Sequence, residues 1–257
     1  TDYAAYNLTS GYGTVSLTKD SEYVYNDIAI KDVKAAENED GSKTWTYTLK
    51  DNLEWSNGEK ITAKDYVFSI LFWSSPEVAT DLGAVDATYG YYFDGFDAFY
   101  NGETEVFKGV RLLSDTEFSI TVGAENLPYY FEMALVSVGP TYMKGWVPED
   151  VDIVDSENGC SFTDNFTAEH IGETVEKYRY NPTAFSGPYV LESYDSSNLT
   201  YTLKANEKFL GDYTGQTAQI ETIILKKVEQ ETMMDELKTG SVDLLPEITD
   251  GDQVVAG

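Results

Sequence analysis

Alternating apolar and polar positions mark several strands. In TWTYTLK, Trp45, Tyr47 and Leu49 fall on one face and Thr46 and Thr48 on the other, the period of two that a half-buried strand requires. EFSITV repeats the pattern with Phe118, Ile120 and Val122, and LTYTLK with Leu199, Tyr201 and Leu203. ETIILKKV carries a more continuous apolar run from Ile223 to Leu225, which predicts a strand covered on both faces.

Helical spacing is rarer. Ala63, Tyr66, Val67, Ile70 and Leu71 follow the i, i+3, i+4 rule and predict a helix with one buried face. Thr62 is suited to cap it, Asp65 sits at its third position, and Pro76 follows soon after to help stop it. A second helix is expected from near Leu127 through PYYFEMAL. A third is expected over AEHIGETVEKY, with Ile171, Val175 and Tyr178 aligned, and a last over ETMMDELKTG, ending at Gly240. Asp40-Gly41, Asn57-Gly58, Asn101-Gly102 and Asn158-Gly159 punctuate these segments as turns. The stretch from Asp81 to Gly102 is dense in tyrosine, phenylalanine and glycine. It reads either as an irregular loop whose rings fill a satellite core or as an aromatic ligand wall.

The chain of 257 residues is long enough to bury roughly 70–75% of its unfolded surface. It contains no run of about 18 apolar residues, the length that spans a bilayer. Its first residues have neither a basic start nor an apolar block, so no signal peptide is expected in this stretch. Seventeen basic against forty-five acidic residues give a net charge of −28. That excludes phosphate-backbone recognition, which needs Lys/Arg patches, and disfavours direct adhesion to anionic lipid. A calcium loop would place its first ligand on Ala36 or Val154, so that spacing fails. One cysteine, Cys160, builds neither a disulfide framework nor a zinc cluster. His170 stands alone without a nucleophile-elbow motif and reads as a surface or packing residue. No metal site and no cofactor are expected. Asn7, Asn165 and Asn198 begin short glycosylation sequons, a pattern too brief to weigh.

Four segments, in order, resemble the extracellular solute-binding proteins of family five, the peptide-binding receptors of ABC importers. They are DGSKTWTYTLKDNLEWSNGEKITAKDYVFSILF, GVRLLSDTEFSITVGAENLPYYFEMAL, SGPYVLESYDSSNLTYTLKANEKFLGD and ETMMDELKTGSVDLLPEI. The first is similar to that family's strand, W-x-D-G turn and helix start; the third is similar to its G-T-G-P-Y strand pair. Departures occur at Phe185-Ser186-Gly187-Pro188-Tyr189, at Asn206-Glu207-Lys208-Phe209-Leu210, which lacks the usual proline, and at Ser241.

The resemblance implies a mixed α/β fold, periplasmic-binding-protein-like of type II, in which two lobes close on a ligand. It implies that this chain is the first lobe, with a smaller α/β subdomain inserted over residues 12–143. Residues 1–11 and 144–257 would form the main lobe, and the second lobe would be absent. The implied role is the non-enzymatic substrate-binding component of an importer. It would capture oligopeptides and deliver them to permease subunits as an extracellular monomer, lipid-anchored at the cell surface or periplasmic. Tyr89, Tyr91 and Tyr92 are placed by the resemblance on the loop facing the cleft, and Pro246 and Glu247 at the hinge exit. Two alternatives stand beside it. One is the same fold binding an oligosaccharide or metal chelate, to which the aromatic abundance applies equally. The other is an acidic secreted glycoside hydrolase, which needs two carboxylates in one cleft, or an adhesin.

Overall fold

The computed structural model describes residues 2–84, 87–246 and 248. Helix α1 (Asp2–Thr9) leads into a hairpin of β1 (Val15–Leu17) and β2 (Tyr23–Tyr25). Then come β3 (Ile30–Glu37), β4 (Lys43–Leu49), helix α2 (Ala63–Phe72) and the short α3 (Phe96–Tyr100). β5 (Val110–Ser114), β6 (Glu117–Val122), α4 (Glu132–Leu135) and α5 (Met143–Trp146) follow. The rest of the order is β7 (Ile153–Ser156), β8 (Gly159–Phe162), α6 (Ala168–Tyr180), β9 (Tyr189–Asp195), β10 (Thr200–Ala205), β11 (Thr222–Lys226) and α7 (Met233–Thr239).

The central sheet is antiparallel, with strand order β3-β4-β6-β5. Trp45 pairs with Ile120 and Tyr47 with Phe118 across β4 and β6, so the predicted apolar faces of both strands coincide. All four are buried, and the opposite face carries Thr44, whose hydroxyl lies 2.9 Å from that of Thr121. Helix α2 covers the apolar face. Tyr66 stacks on Phe118 at 5.2 Å, and Phe118 on Tyr47 at 5.3 Å. The predicted start of α2 forms as expected: the Asp65 carboxylate accepts from the Thr62 backbone N–H at 2.8 Å and its hydroxyl at 3.2 Å.

The structure departs from the expected single buried face of α2. Every residue from Tyr66 to Phe72 is buried. Tyr66, Val67, Ile70 and Leu71 belong to the core under the central sheet, while Phe68 and Phe72 belong to a second core with Met143, Val147, Phe166 and Ile171. The helix is a shared wall between two apolar clusters, and each buried Phe contributes on the order of 1.5–3 kcal/mol.

Three further expectations change. The helix expected from near Leu127 is confined to Glu132–Leu135; Leu127 itself precedes proline and is extended (φ −124°, ψ 152°), the backbone that the proline ring favours at that position. Leu199 lies outside β10 in left-handed backbone (φ 49°). β11 is an edge strand of the three-stranded sheet β11-β10-β9, and Ile224 is 64% exposed, so it is not covered on both faces. Helix α6, with Ile171 and Tyr178 buried, and α7, closed by Gly240 at φ 75°, form as predicted.

Two junctions bind the sheets to the rest. Arg111 on β5 grips Asp155 on β7 with two 2.8 Å hydrogen bonds, and the Leu112 N–H donates to the same carboxylate at 3.0 Å. Burial raises the pKa of Asp155, but these donors outweigh it and hold the carboxyl below its ordinary value. Beside it, Cys160 is buried, and desolvation pushes its thiol well above the usual range, so it is an inert packing residue. The SGPY motif meets the N-terminal segment: Gly187 N–H donates to Thr9 C=O at 2.9 Å, and a Cβ on Gly187 would lie 2.5 Å from the Thr9 carbonyl carbon. Asn206, also buried, donates to Gly187 C=O at 2.8 Å, which ties the two quoted motifs to one another. No helix among the described residues is long and apolar enough to cross a membrane.

Candidate functional site

The C-terminal half of α2 and the segments packed on it frame an open cleft of about 880 Å³, within the range of roughly 300–1,000 Å³ typical of ligand pockets. Ser69 of α2 and Trp73, which caps it, line one side, and Thr141 joins them through a 2.9 Å hydroxyl contact to Ser69. Trp55 enters from the turn after β4, Tyr142 and Trp146 from the α5 region, and Tyr178 and Arg179 from the last turn of α6.

These side chains form a continuous aromatic chain. Trp55 contacts Tyr142 at 5.4 Å, Tyr142 contacts Tyr178 at 6.2 Å, Tyr178 contacts Trp146 at 5.3 Å and Trp146 contacts Trp73 at 5.3 Å. Most of these contacts are edge-on, a favoured geometry for aromatic quadrupoles. Gly145 allows one of them: a Cβ there would lie 2.3 Å from the Tyr178 ring. The Tyr142 hydroxyl donates to Glu59 at 2.9 Å and accepts from Asn57 at 3.2 Å. Lys144 pairs with the same Glu59 and holds its carboxyl below the ordinary value. Desolvation raises the pKa of Tyr142 and of Tyr178, so both remain neutral hydroxyls at physiological pH. The Trp55 indole N–H is buried with no partner of regular hydrogen-bond geometry, and its electrostatic neighbour is the Asp65 carboxyl.

Tyr89 lines this cleft. Its hydroxyl accepts from Gly139 N–H at 2.8 Å, its own N–H donates to Trp73 C=O at 3.1 Å, and desolvation pushes its pKa up to about 12, although 39% of the residue remains exposed. Tyr91 and Tyr92 are elsewhere on the same loop, outside the lining. They pack edge-on at 5.2 Å and remain 57% and 43% exposed. The rest of that loop divides its rings: Phe93, Phe96 and Phe99 enter the main core. Pro246 is exposed and apart from the cleft lining, and Glu247 lies outside the described residues. His170 is on the surface, with Nε2 2.9 Å from Asp150.

Trp55, Trp73, Tyr142, Trp146 and Arg179 were not singled out by the pattern of the chain, and Tyr178 was singled out only as part of the apolar stripe of α6. Their spacing in sequence gives no sign that they converge. The tryptophan of the W-S-N-G turn was quoted only as part of a scaffold signature.

The lining is unusual for so acidic a chain: among its described residues there is no carboxylate, and Arg179 supplies the one cation. Apolar rings with scattered hydroxyls and backbone groups suit an organic ligand of mixed character, held by contact area and a few directional hydrogen bonds. The arrangement shows no nucleophile–base pair among the lining residues.

Comparison with known proteins agrees with this picture. The sequence profile of the bacterial extracellular solute-binding proteins, family 5 Middle, matches residues 25–255. A dipeptide-binding protein of Lactococcus lactis subsp. cremoris is 27% identical over 208 residues, covering 78% of this chain and 32% of that protein. Among solved structures, Listeria monocytogenes OppA bound to peptide superposes with a TM-score of 0.66 at 21% identity, over 93% of this chain and 40% of that one. The substrate-binding domain of an oligopeptide ABC transporter from Bacillus anthracis gives 0.64 at 20% identity, over 94% and 40%. The chain thus spans about a third of the curated relative and two fifths of these structures. It has the mixed α/β fold of type II periplasmic binding proteins, over part of their length. The chain belongs to the bacterial extracellular solute-binding proteins of family 5.

Proposed function

We propose that this chain forms one wall of the ligand cleft in the substrate-binding component of an ABC importer for oligopeptides. The observation that carries this reading is the open aromatic cleft on a rigid, two-core scaffold, in a chain of a solute-binding family whose relatives include a dipeptide-binding protein and a peptide-bound OppA. Binding without bond-breaking is the proposed activity. Contacts from two sides would stabilise a closed state over an open one, and the shift would be set by their differential affinity. The partners would be a peptide ligand and membrane permease subunits, and the site of action extracellular or periplasmic, with a lipid anchor as the proposed attachment.

We assign residues 12–143 to an inserted subdomain, supported by the central sheet and the β1–β2 hairpin lying within it. Residues 1–11 and 144–257 form the main part of the lobe, supported by the separate β9–β11 sheet. The second core, contributed by α2 and by residues 143–171, couples the two. On the ligand wall we place Tyr89 with the aromatic chain. Tyr91 and Tyr92 would be reached by a ligand longer than the cleft, and Pro246 and Glu247 would belong to the crossing toward a second lobe.

Calorimetry of the full-length protein against a mixed tri- to hexapeptide pool tests the reading. Micromolar or tighter binding is expected for the full-length protein, and weak or no binding for residues 1–257 alone. Absence of peptide binding by the full-length protein would overturn it.

A further inference from the structure

The cleft has one charged side chain among its described lining residues, and its sign opposes that of the molecule. Arg179 closes α6, is exposed, and has its guanidinium carbon 5.5 Å from the ring of Tyr180. No carboxylate among the described residues lies within ion-pair distance of it. In a chain carrying 45 acids against 17 bases, Lys144 and Lys208 are by contrast paired, with Glu59 and Glu54. An arginine without such a partner among the described residues presents five donors in a planar fork matched to a carboxylate. The neighbouring residue along the chain of rings, Tyr178, is buried and fixed by its hydroxyl, which accepts from Ala184 N–H at 3.3 Å. The helix end that carries Arg179 is therefore anchored, and the guanidinium stands at the edge of an aromatic surface.

We infer that Arg179 is the specificity-determining residue of this wall and selects ligands that carry a carboxylate next to an aromatic or bulky apolar group. The inference rests on the peptide reading above and deepens it. The carboxylate comes from the peptide C terminus or from an acidic side chain, and the chemistry at Arg179 is the same for both. A lining with no carboxylate among its described residues favours this role. The field of the whole molecule repels anions at long range, so a carboxylate that reaches the cleft needs a local cation, and closure that excludes water would strengthen the pair.

The test is calorimetry on the full-length protein and its Arg179→Gln and Arg179→Lys variants. The probes are Ala-Phe-Glu-Ala and Ala-Phe-Gln-Ala, each with a free or an amidated C terminus. Arg179→Gln is expected to weaken carboxylate-bearing peptides by about tenfold, the scale of one charge-assisted contact, and to leave the amidated glutamine peptide unchanged. Arg179→Lys should recover part of the loss. Comparing the free glutamine peptide with the amidated glutamate peptide tells which carboxylate is held. Equal loss on all four peptides, or no loss on any, overturns the inference while the peptide function stands. If the unsubstituted protein binds the mixed peptide pool but none of the four, the inference falls and the function stands; if it binds neither, both fall.

Discussion

Asp65 is buried, and desolvation raises its carboxyl pKa to about 6 even though the Thr62 N–H and hydroxyl donate to it. An unfolded aspartate titrates near 3.9. The folded state therefore resists ionisation: the contribution of this group to stability is full below pH of about 4, falls as pH rises toward about 6, and is flat above that. Asp65→Asn keeps one acceptor for the Thr62 N–H and removes the titration. Its stability relative to the unsubstituted chain is expected to improve by on the order of 2 kcal/mol between pH 4 and pH 7, read by urea denaturation at both values. A difference that does not change with pH would show an ordinary carboxyl. Gly187 makes a second point at this scale. Its Cβ would meet the backbone of Thr9, which cannot rotate away, so Gly187→Ala should cost roughly 1–3 kcal/mol by overpacking. At Gly58, by contrast, a Cβ would meet nothing, and the cost is conformational strain alone at φ 85°. Sequence gave the turn at Gly58 directly, because Asn-Gly is a local signal. The need for glycine at 187 depends on a contact with residue 9 and has no local trace.

At the scale of elements, β4 and β6 were legible because each has one apolar and one polar face, and their register then aligned those faces. Helix α2 was legible in position but not in environment. A helix buried all round has little polarity contrast, and Phe68 and Phe72 read as extras beside a good stripe. Phe68→Ala should cost about 3–5 kcal/mol, as much as a residue on the recognised face, and thermal unfolding would report it. A loss below 1 kcal/mol would mean that the second core is slack. The helix expected near Leu127 is a different case: Leu127 precedes a proline and is extended. Tyr129, Tyr130 and Phe131, which precede the short helix, are exposed, Tyr130 at 90%. The cleft was the least legible part. Of the loop from Asp81 to Gly102, Tyr89 lines the cleft while Phe93, Phe96 and Phe99 enter the main core. The five rings of the aromatic chain come from turns and helices between residues 55 and 178, which only the folded core brings together.

At the scale of the molecule, a charge of −28 presses outward on every folded arrangement. Salt screens that repulsion within about 10 Å at 0.1 M, so raising sodium chloride from about 20 to about 200 mM should raise the melting temperature by a few degrees in a calorimetric scan. A flat or falling response would mean that the ten ion pairs found among the described residues outweigh the net field. The same acidity makes a cleft without a carboxylate among its described lining residues stand out as an island. Three of the four tryptophans of the chain, Trp55, Trp73 and Trp146, are set around it, while Trp45 is sealed beneath the central sheet. The protein accordingly carries its own optical gauge: a guest entering the cleft is expected to change the summed indole emission through these three, over a constant contribution from the buried Trp45.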